Sequence, residues 1–333
     1  MAGVCWAGRA RLLLVVVAVL APLPAAAQTP PLRRSIVNPD FPCGIPYGPN
    51  GEVPVTSRPK RQIIFPDEEN YATYLGQLFL RDGSSINPRE SEASGEGQVL
   101  TDAFCGAAVI SDRFLVTAAH CAVNEKNPIS SVRLGDIDLN KDNEANSKPK
   151  DYDIKQIILH PGYRGNTTVR HYDLALLQTY DIIEFNDVVF PYCIPKASPP
   201  PGTIVTASGY GLYNATSASQ HVLEANFTII DTKECEDIYI KNFQDDALRL
   251  KYPNLLQNTD IICALDDVSD ACQGDSGGPV IWKKDGKEYL AGLVSAGANC
   301  RGNFKSVLPG LYMSTAVHAD FISAVVFSPD LTS

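Results

Sequence analysis

The sequence predicts an all-β protein. Beyond residue 62 the chain falls into short apolar, β-type runs separated by turn residues, at the spacing of a sandwich or barrel. Helix-type patterning is confined to 235–250 and to the tail "AVHADFISAVV". No internal repeat or strongly biased segment interrupts the pattern.

The elements follow in order. Residues 1–27 read as a secretory signal peptide: Arg9 and Arg11 precede the apolar run "LLLVVVAVLAPLP", and "AAAQ" supplies a small-residue cut site after Ala27. That run is too short for a membrane span, and no later stretch reaches spanning length. The expectation is an exported, extracellular protein with no membrane partner. Residues 28–62 form an irregular leader rich in Pro and Gly, with one cysteine, Cys43, and the basic pairs Arg33-Arg34 and Lys60-Arg61. The predicted strand runs are "YLGQLFL", "GAAVISDRFLVTAAH", "SVRLGDIDL", "DIKQIILH", "DLALLQT", "TIVTASGYG", "EANFTIID", "GGPVIW", "YLAGLVSAG" and "GLYMSTA". Between the first two lies a polar, acidic surface loop, 81–98.

Composition narrows the function classes. At 44% hydrophobic, the 333 residues hold ample material for a core, as one large domain or two smaller ones. The formal charge is −10, and removing Arg9 and Arg11 with the signal takes it to −12. Without a long basic run, nucleic-acid binding has little support. Losing Cys5 reduces nine cysteines to eight, and an even count in an exported chain points to four disulfides. Sequons at Asn166, Asn214 and Asn226 allow N-glycans.

Three fragments carry chemistry. In "DACQGDSGGPV", Ser276 sits among Gly274, Gly277 and Gly278 and follows an acid. That fits a solvated turn, or a backbone bent to expose one nucleophilic hydroxyl. A serine hydroxyl needs a neighbouring base, and the base needs something to fix its tautomer. Among five histidines, His120 stands out at the end of "FLVTAAHC", beside Cys121. Taken alone it also fits a strand-end histidine near a cystine. Asp173, in "RHYDLALLQ", opens an apolar strand, where burying a carboxylate is costly unless it is hydrogen-bonded.

Together "LVTAAHC", "DLALL" and "GDSGGPV" resemble the chymotrypsin- and trypsin-like serine proteases, in that family's order of His, Asp and Ser. The resemblance runs over roughly 63–327. With "VRLGDIDL" and "ILHPGY", its texture is that of arthropod trypsin-like proteases. It implies two six-stranded antiparallel β-barrels with a C-terminal helix, within a protease domain spanning 63–333. It implies His120 as general base and then acid, Asp173 as its orienting partner and Ser276 as nucleophile. The N–H groups of Gly274 and Ser276 would form the oxyanion hole. Asp270, six residues before Ser276, would lie at the base of the specificity pocket and select Arg or Lys. Gly297 and Gly310 would line its walls, and Ser295 and Gly297 would hold an extended substrate through the backbone. Ala271, lacking a hydroxyl, favours Arg over Lys. The implied cystines are Cys105–Cys121, Cys235–Cys263, Cys272–Cys300 and Cys43–Cys193, the last tethering the leader.

The sequence also departs from the family pattern. Activation there frees an Ile-Val-like terminus, whose ammonium pairs with the acid before the serine, here Asp275. In "KRQIIFPDEE" a cut after Arg61 exposes Gln62, while a cut after Gln62 exposes Ile63-Ile64. Ala296 stands where relatives usually carry Trp, and Tyr210 replaces another Trp. No cofactor is implied. Asp136, Asp142 and Glu144 occupy the region where some relatives hold structural calcium, although a solvated acidic loop is the simpler reading. The expected partners of this monomer are protein substrates, an activating protease and serpin-type inhibitors. The other class is a non-catalytic homologue acting as a secreted binding module.

Overall fold

The computed structural model describes residues 42–47, 75–80, 105–123, 128–141, 144, 147–165, 169–213, 217–256, 260–266, 269–297 and 308–328. Residues 1–27 with the expected signal peptide, the 60–64 region, Asp142, Asn166, Asn214 and Cys300 lie outside the described residues.

Twelve described strands close into two barrels. The first comprises β1 (Leu75–Leu80), β2 (Cys105–Val109), β3 (Phe114–Thr117), β4 (Ile129–Leu134), β5 (Lys150–Leu159) and β6 (Ala175–Thr179), in the order β1-β2-β3-β6-β5-β4. The second comprises β7 (Ile204–Gly209), β8 (Leu223–Ile230), β9 (Ile261–Leu265), β10 (Pro279–Lys284), β11 (Lys287–Ala296) and β12 (Gly310–Ser314), in the order β10-β11-β12-β9-β8-β7. All strand pairs are antiparallel, and closure leaves neither sheet a free edge.

The helices are α1 (Ala119–Ala122), α2 (Thr232–Lys241), α3 (Asp245–Lys251) and α4 (Ala319–Val326). Helical patterning over 235–250 thus resolves into two helices. The break falls at Phe243, which has φ 57° and follows Asn242, whose amide caps the Ile238 carbonyl at 2.8 Å. Strand β9, "IICAL", was not among the predicted runs. The other strands coincide with them.

Each barrel has its own apolar filling. Leu78, Val109, Leu115, Val132 and Leu177 pack in the first, and Val205, Phe227, Ile262, Val280 and Val294 in the second. A further buried cluster joins the two. Phe114, Val116 and Leu176 from the first barrel meet Ile281, Leu293 and Met313 from the second. Helix α4 adds Ile322 and Val326 to the same cluster. This shared core holds residues of the two barrels in one fixed frame.

Cystines Cys105–Cys121, Cys235–Cys263 and Cys43–Cys193 form as the resemblance implied. Cys272 is also disulfide-bonded, with a partner outside the described residues. Around Cys43 the chain is also held by main-chain bonds. Gly44 N–H donates to the Pro191 carbonyl at 2.7 Å, and Glu288 N–H to the Gly44 carbonyl at 2.8 Å. Gly44 has φ 67°, and a Cβ there would strike the Glu288 backbone.

Candidate active site

Strand β3 delivers His120. The strand ends at Thr117, and the single turn α1 turns the imidazole out beside the Cys105–Cys121 cystine. The start of β6 delivers Asp173, which is fully buried. The two meet twice: His120 Nδ1 lies 2.8 Å from Asp173 Oδ2, and His120 N–H donates to Asp173 Oδ1 at 2.8 Å. A carboxylate can only accept, so the neutral ring carries its proton on Nδ1 and leaves Nε2 free to take one.

A third donor reaches the same carboxylate. Ser295 Oγ–H donates to Asp173 Oδ2 at 2.5 Å. Burial pushes the Asp173 carboxyl up, but the hydrogen bonds and charge of His120, with the Ser295 bond, outweigh it and hold the carboxyl below its usual value. The resemblance gave Ser295 a backbone role in substrate binding. Its hydroxyl contact with Asp173 was not anticipated. The cause is a bulge: Val294 pairs with Tyr312 and Ala296 with Leu311, so Ser295 is the extra residue. Bulges re-aim side chains, and this one sends the hydroxyl to Asp173.

Ser276 lies on the turn into β10. Gly274 (φ 102°) and Gly277 (φ 76°) take left-handed conformations that only glycine adopts without strain. The turn is pinned to both barrels. Gly106 N–H in β2 donates to the Ser276 carbonyl at 2.7 Å, and Gly277 N–H donates to the Val294 carbonyl in β11 at 2.7 Å. Gly106 adjoins Cys105, whose cystine partner Cys121 adjoins His120. A Cβ on Gly277 would collide with Thr117 Oγ1 and come within 3.0 Å of Ala118 N. The serine turn therefore lies directly against the segment that ends in His120. Because both cysteines beside His120 are bonded to each other, they offer no thiolate to a metal.

The acid before the serine is held differently. Asp275 Oδ1 accepts from Gly211 N–H at 2.8 Å, and Oδ2 accepts from Cys272 N–H at 2.7 Å. A Cβ on Gly209 or Gly211 would strike this carboxylate, so both glycines are part of its cradle. Burial raises the Asp275 pKa, and the two backbone donors only partly offset that.

The remaining predicted site residues gather nearby. Burial, and then the charge of nearby Asp270, raise the pKa of the Tyr239 and Tyr312 hydroxyls. Gly310 packs on the Tyr312 ring, where a Cβ would clash with the phenol. Gly297 is open: a Cβ there would meet only the Ala271 carbonyl, at 3.7 Å. Asp270, Gly297 and Gly310 thus border one region. Tyr210 is buried and donates its hydroxyl to the Asp136 carbonyl at 2.7 Å. In the acidic loop, Arg133 faces Asp136 at 3.4 Å, and Glu144 accepts from Asp138 N–H at 3.2 Å. Asp136 is buried and Glu144 half-buried, so at these positions the loop is not the solvated one that the simpler reading expected.

Comparison with known proteins agrees with this geometry. The Trypsin family model matches residues 80–322, most of the chain. The chain belongs to the trypsin family. It is 31% identical over 235 residues to CLIP domain-containing serine protease B4 of Anopheles gambiae, covering 67% of this chain and 62% of that relative. It is 31% identical over 234 residues to serine protease Hayan of Drosophila melanogaster, covering 67% and 34%. It is 30% identical over 243 residues to the clotting factor G beta subunit of Tachypleus tridentatus, covering 69% and 73%. The match therefore spans less than two thirds of the first two relatives. No helix among the described residues is long and apolar enough to cross a membrane.

Proposed function

We propose that the chain is a secreted serine endopeptidase, made as a zymogen, that cuts proteins after Arg or Lys. The observation that carries this reading is the chain of hydrogen bonds from Ser295 through Asp173 to His120, set against the Ser276 turn. In the reaction, His120 Nε2 takes the Ser276 hydroxyl proton as the oxygen attacks the scissile carbonyl carbon. Asp173 holds the imidazole and stabilises the imidazolium that forms. The oxyanion is received by the N–H groups of Gly274 and Ser276, where one such donor contributes about 3 kcal/mol to lowering the barrier. Collapse breaks the C–N bond, and the leaving amine takes the proton from His120. Water then attacks the acyl-enzyme, with His120 again as base.

Asp270 supplies the specificity. Asp270 borders the region walled by Gly297 and Gly310, and an arginine fork would meet its carboxylate with two bonds. The zymogen reading rests on Asp275. Its carboxylate forms no ion pair among the described residues, so a new terminal ammonium near Ile63 would find a ready partner. The leader 28–62 would stay attached through Cys43–Cys193 after that cut. Asn226 is exposed on β8 and fits a glycan site. One relative is named for a clotting factor, which favours limited proteolysis in an extracellular cascade, with an activating protease and serpin-type inhibitors as partners.

The test is hydrolysis of an arginyl peptide by protein processed to begin at Ile63. Turnover blocked by benzamidine, with the Arg/Lys preference lost in Asp270→Ser, supports the reading. Processed protein that cleaves nothing points instead to a binding module.

A further inference from the structure

The loop that carries Asp173 and the strand end that carries Gly297 are joined through one lysine. Arg170, shortly before Asp173, donates its backbone N–H to the Lys251 carbonyl at 2.9 Å. The Lys251 ammonium, at the end of α3, donates to the Gly297 carbonyl at 3.0 Å. Lys251 and Gly297 also line a cleft of about 120 Å³ with Tyr239, Gln244 and Leu311. Lys251 meets no carboxylate among the described residues. Burial, and then the nearby Arg170 guanidinium, pull its pKa below the usual lysine value. Lys251 and the nearby Arg170 are both cationic and would favour an incoming anion.

We propose that Lys251, together with Arg170, selects substrates carrying Asp or Glu within the three residues ahead of the cleaved Arg or Lys. This rests on the reading of Gly297 as part of the substrate groove. An extended peptide that pairs with Gly297 competes with Lys251 for that carbonyl. Once displaced, the ammonium needs another acceptor beside the peptide, and an acidic side chain supplies one. A basic side chain in the same place adds a third like charge.

The experiment uses peptides in which Arg is followed by a fluorogenic amide, with Glu, Gln or Lys placed in turn at each of the three positions before that Arg. Binding is measured to processed Ser276→Ala, and hydrolysis to processed wild type. At one or more of these positions Glu should exceed Lys by about fivefold, as expected for a partly exposed ion pair. Lys251→Gln should flatten the ranking, Lys251→Glu should invert it, and Lys251→Arg should restore it. Equal binding of Glu and Lys peptides, or an unchanged ranking in Lys251→Glu, overturns the inference. A charge ranking in binding without hydrolysis by wild type supports the inference and overturns the catalytic reading. If no peptide binds, both fall.

Discussion

The Ser295 hydroxyl donates to Asp173 across 122 positions of sequence. That bond gives the buried carboxylate a donor in addition to the two from His120. Ser295→Ala removes it. A hydrogen bond to a charged group contributes about 1.5–3 kcal/mol to stability, and only the part that strengthens as the imidazolium forms is lost from kcat/KM, so that loss should stay below about tenfold. The sign for stability also follows. Asp173 has a depressed pKa in the folded state, so its contribution is present above the ordinary value of 3.8 and is lost as pH falls through the folded value. In Ser295→Ala the acid loss should begin at higher pH, as read from thermal melts across an acid series.

Asp275 behaves oppositely. Its folded pKa is raised, so the folded state binds the proton more readily than the unfolded state does. Its contribution is fully present below 3.8 and is lost as pH rises through the raised folded value. Unprocessed protein should therefore lose stability over that interval relative to Asp275→Asn. Processing to Ile63 should abolish the difference, because an ammonium then holds the ionised form. Melting temperature against pH for both forms checks this, and identical slopes before and after processing would contradict it.

The serine turn tolerates only glycine at 277. Gly277→Ala meets a left-handed φ that costs about 1–3 kcal/mol, and adds collisions with Thr117 and Gly106. Gly202→Ala is the control, with φ 84° and nothing within 4 Å of the added methyl. Urea denaturation should show the larger loss at 277.

A second His–Asp pair braces the first. His318 Nε2 lies 2.8 Å from Asp260 Oδ2, which also accepts from Tyr172 N–H at 3.1 Å. Tyr172 has φ 57°, and Leu174 N–H closes onto its carbonyl at 2.7 Å, across Asp173. Asp260→Ala should lower kcat several-fold with little change in KM, while Asp260→Asn, which keeps an acceptor for Tyr172, should retain most of it. Equal kcat per titrated active site in all three proteins would count against this.

Much of this was legible in the sequence, for identifiable reasons. His120, Asp173 and Ser276 each sit in a short run whose composition matters locally, and the strand runs alternate between turns. The resemblance fixed three cystines that spacing alone left open. The Ser295–Asp173 bond was not legible, because it depends on one extra residue in a strand pairing. The helix break at Phe243 carries no Gly or Pro, and its only cue is the capping Asn242. Strand β9 is a five-residue run between less regular segments. The Lys251–Gly297 contact joins two distant elements and has no local signature.

The central claim is that Ser276 is a nucleophile activated by His120. Its most direct test is a fluorophosphonate reacted with protein processed to Ile63, the adduct then being located by peptide mass mapping. The account predicts a single adduct on Ser276, strongly slowed in His120→Ala and absent in Ser276→Ala. Processed, folded protein that forms no adduct, or forms it equally fast in His120→Ala, would contradict it.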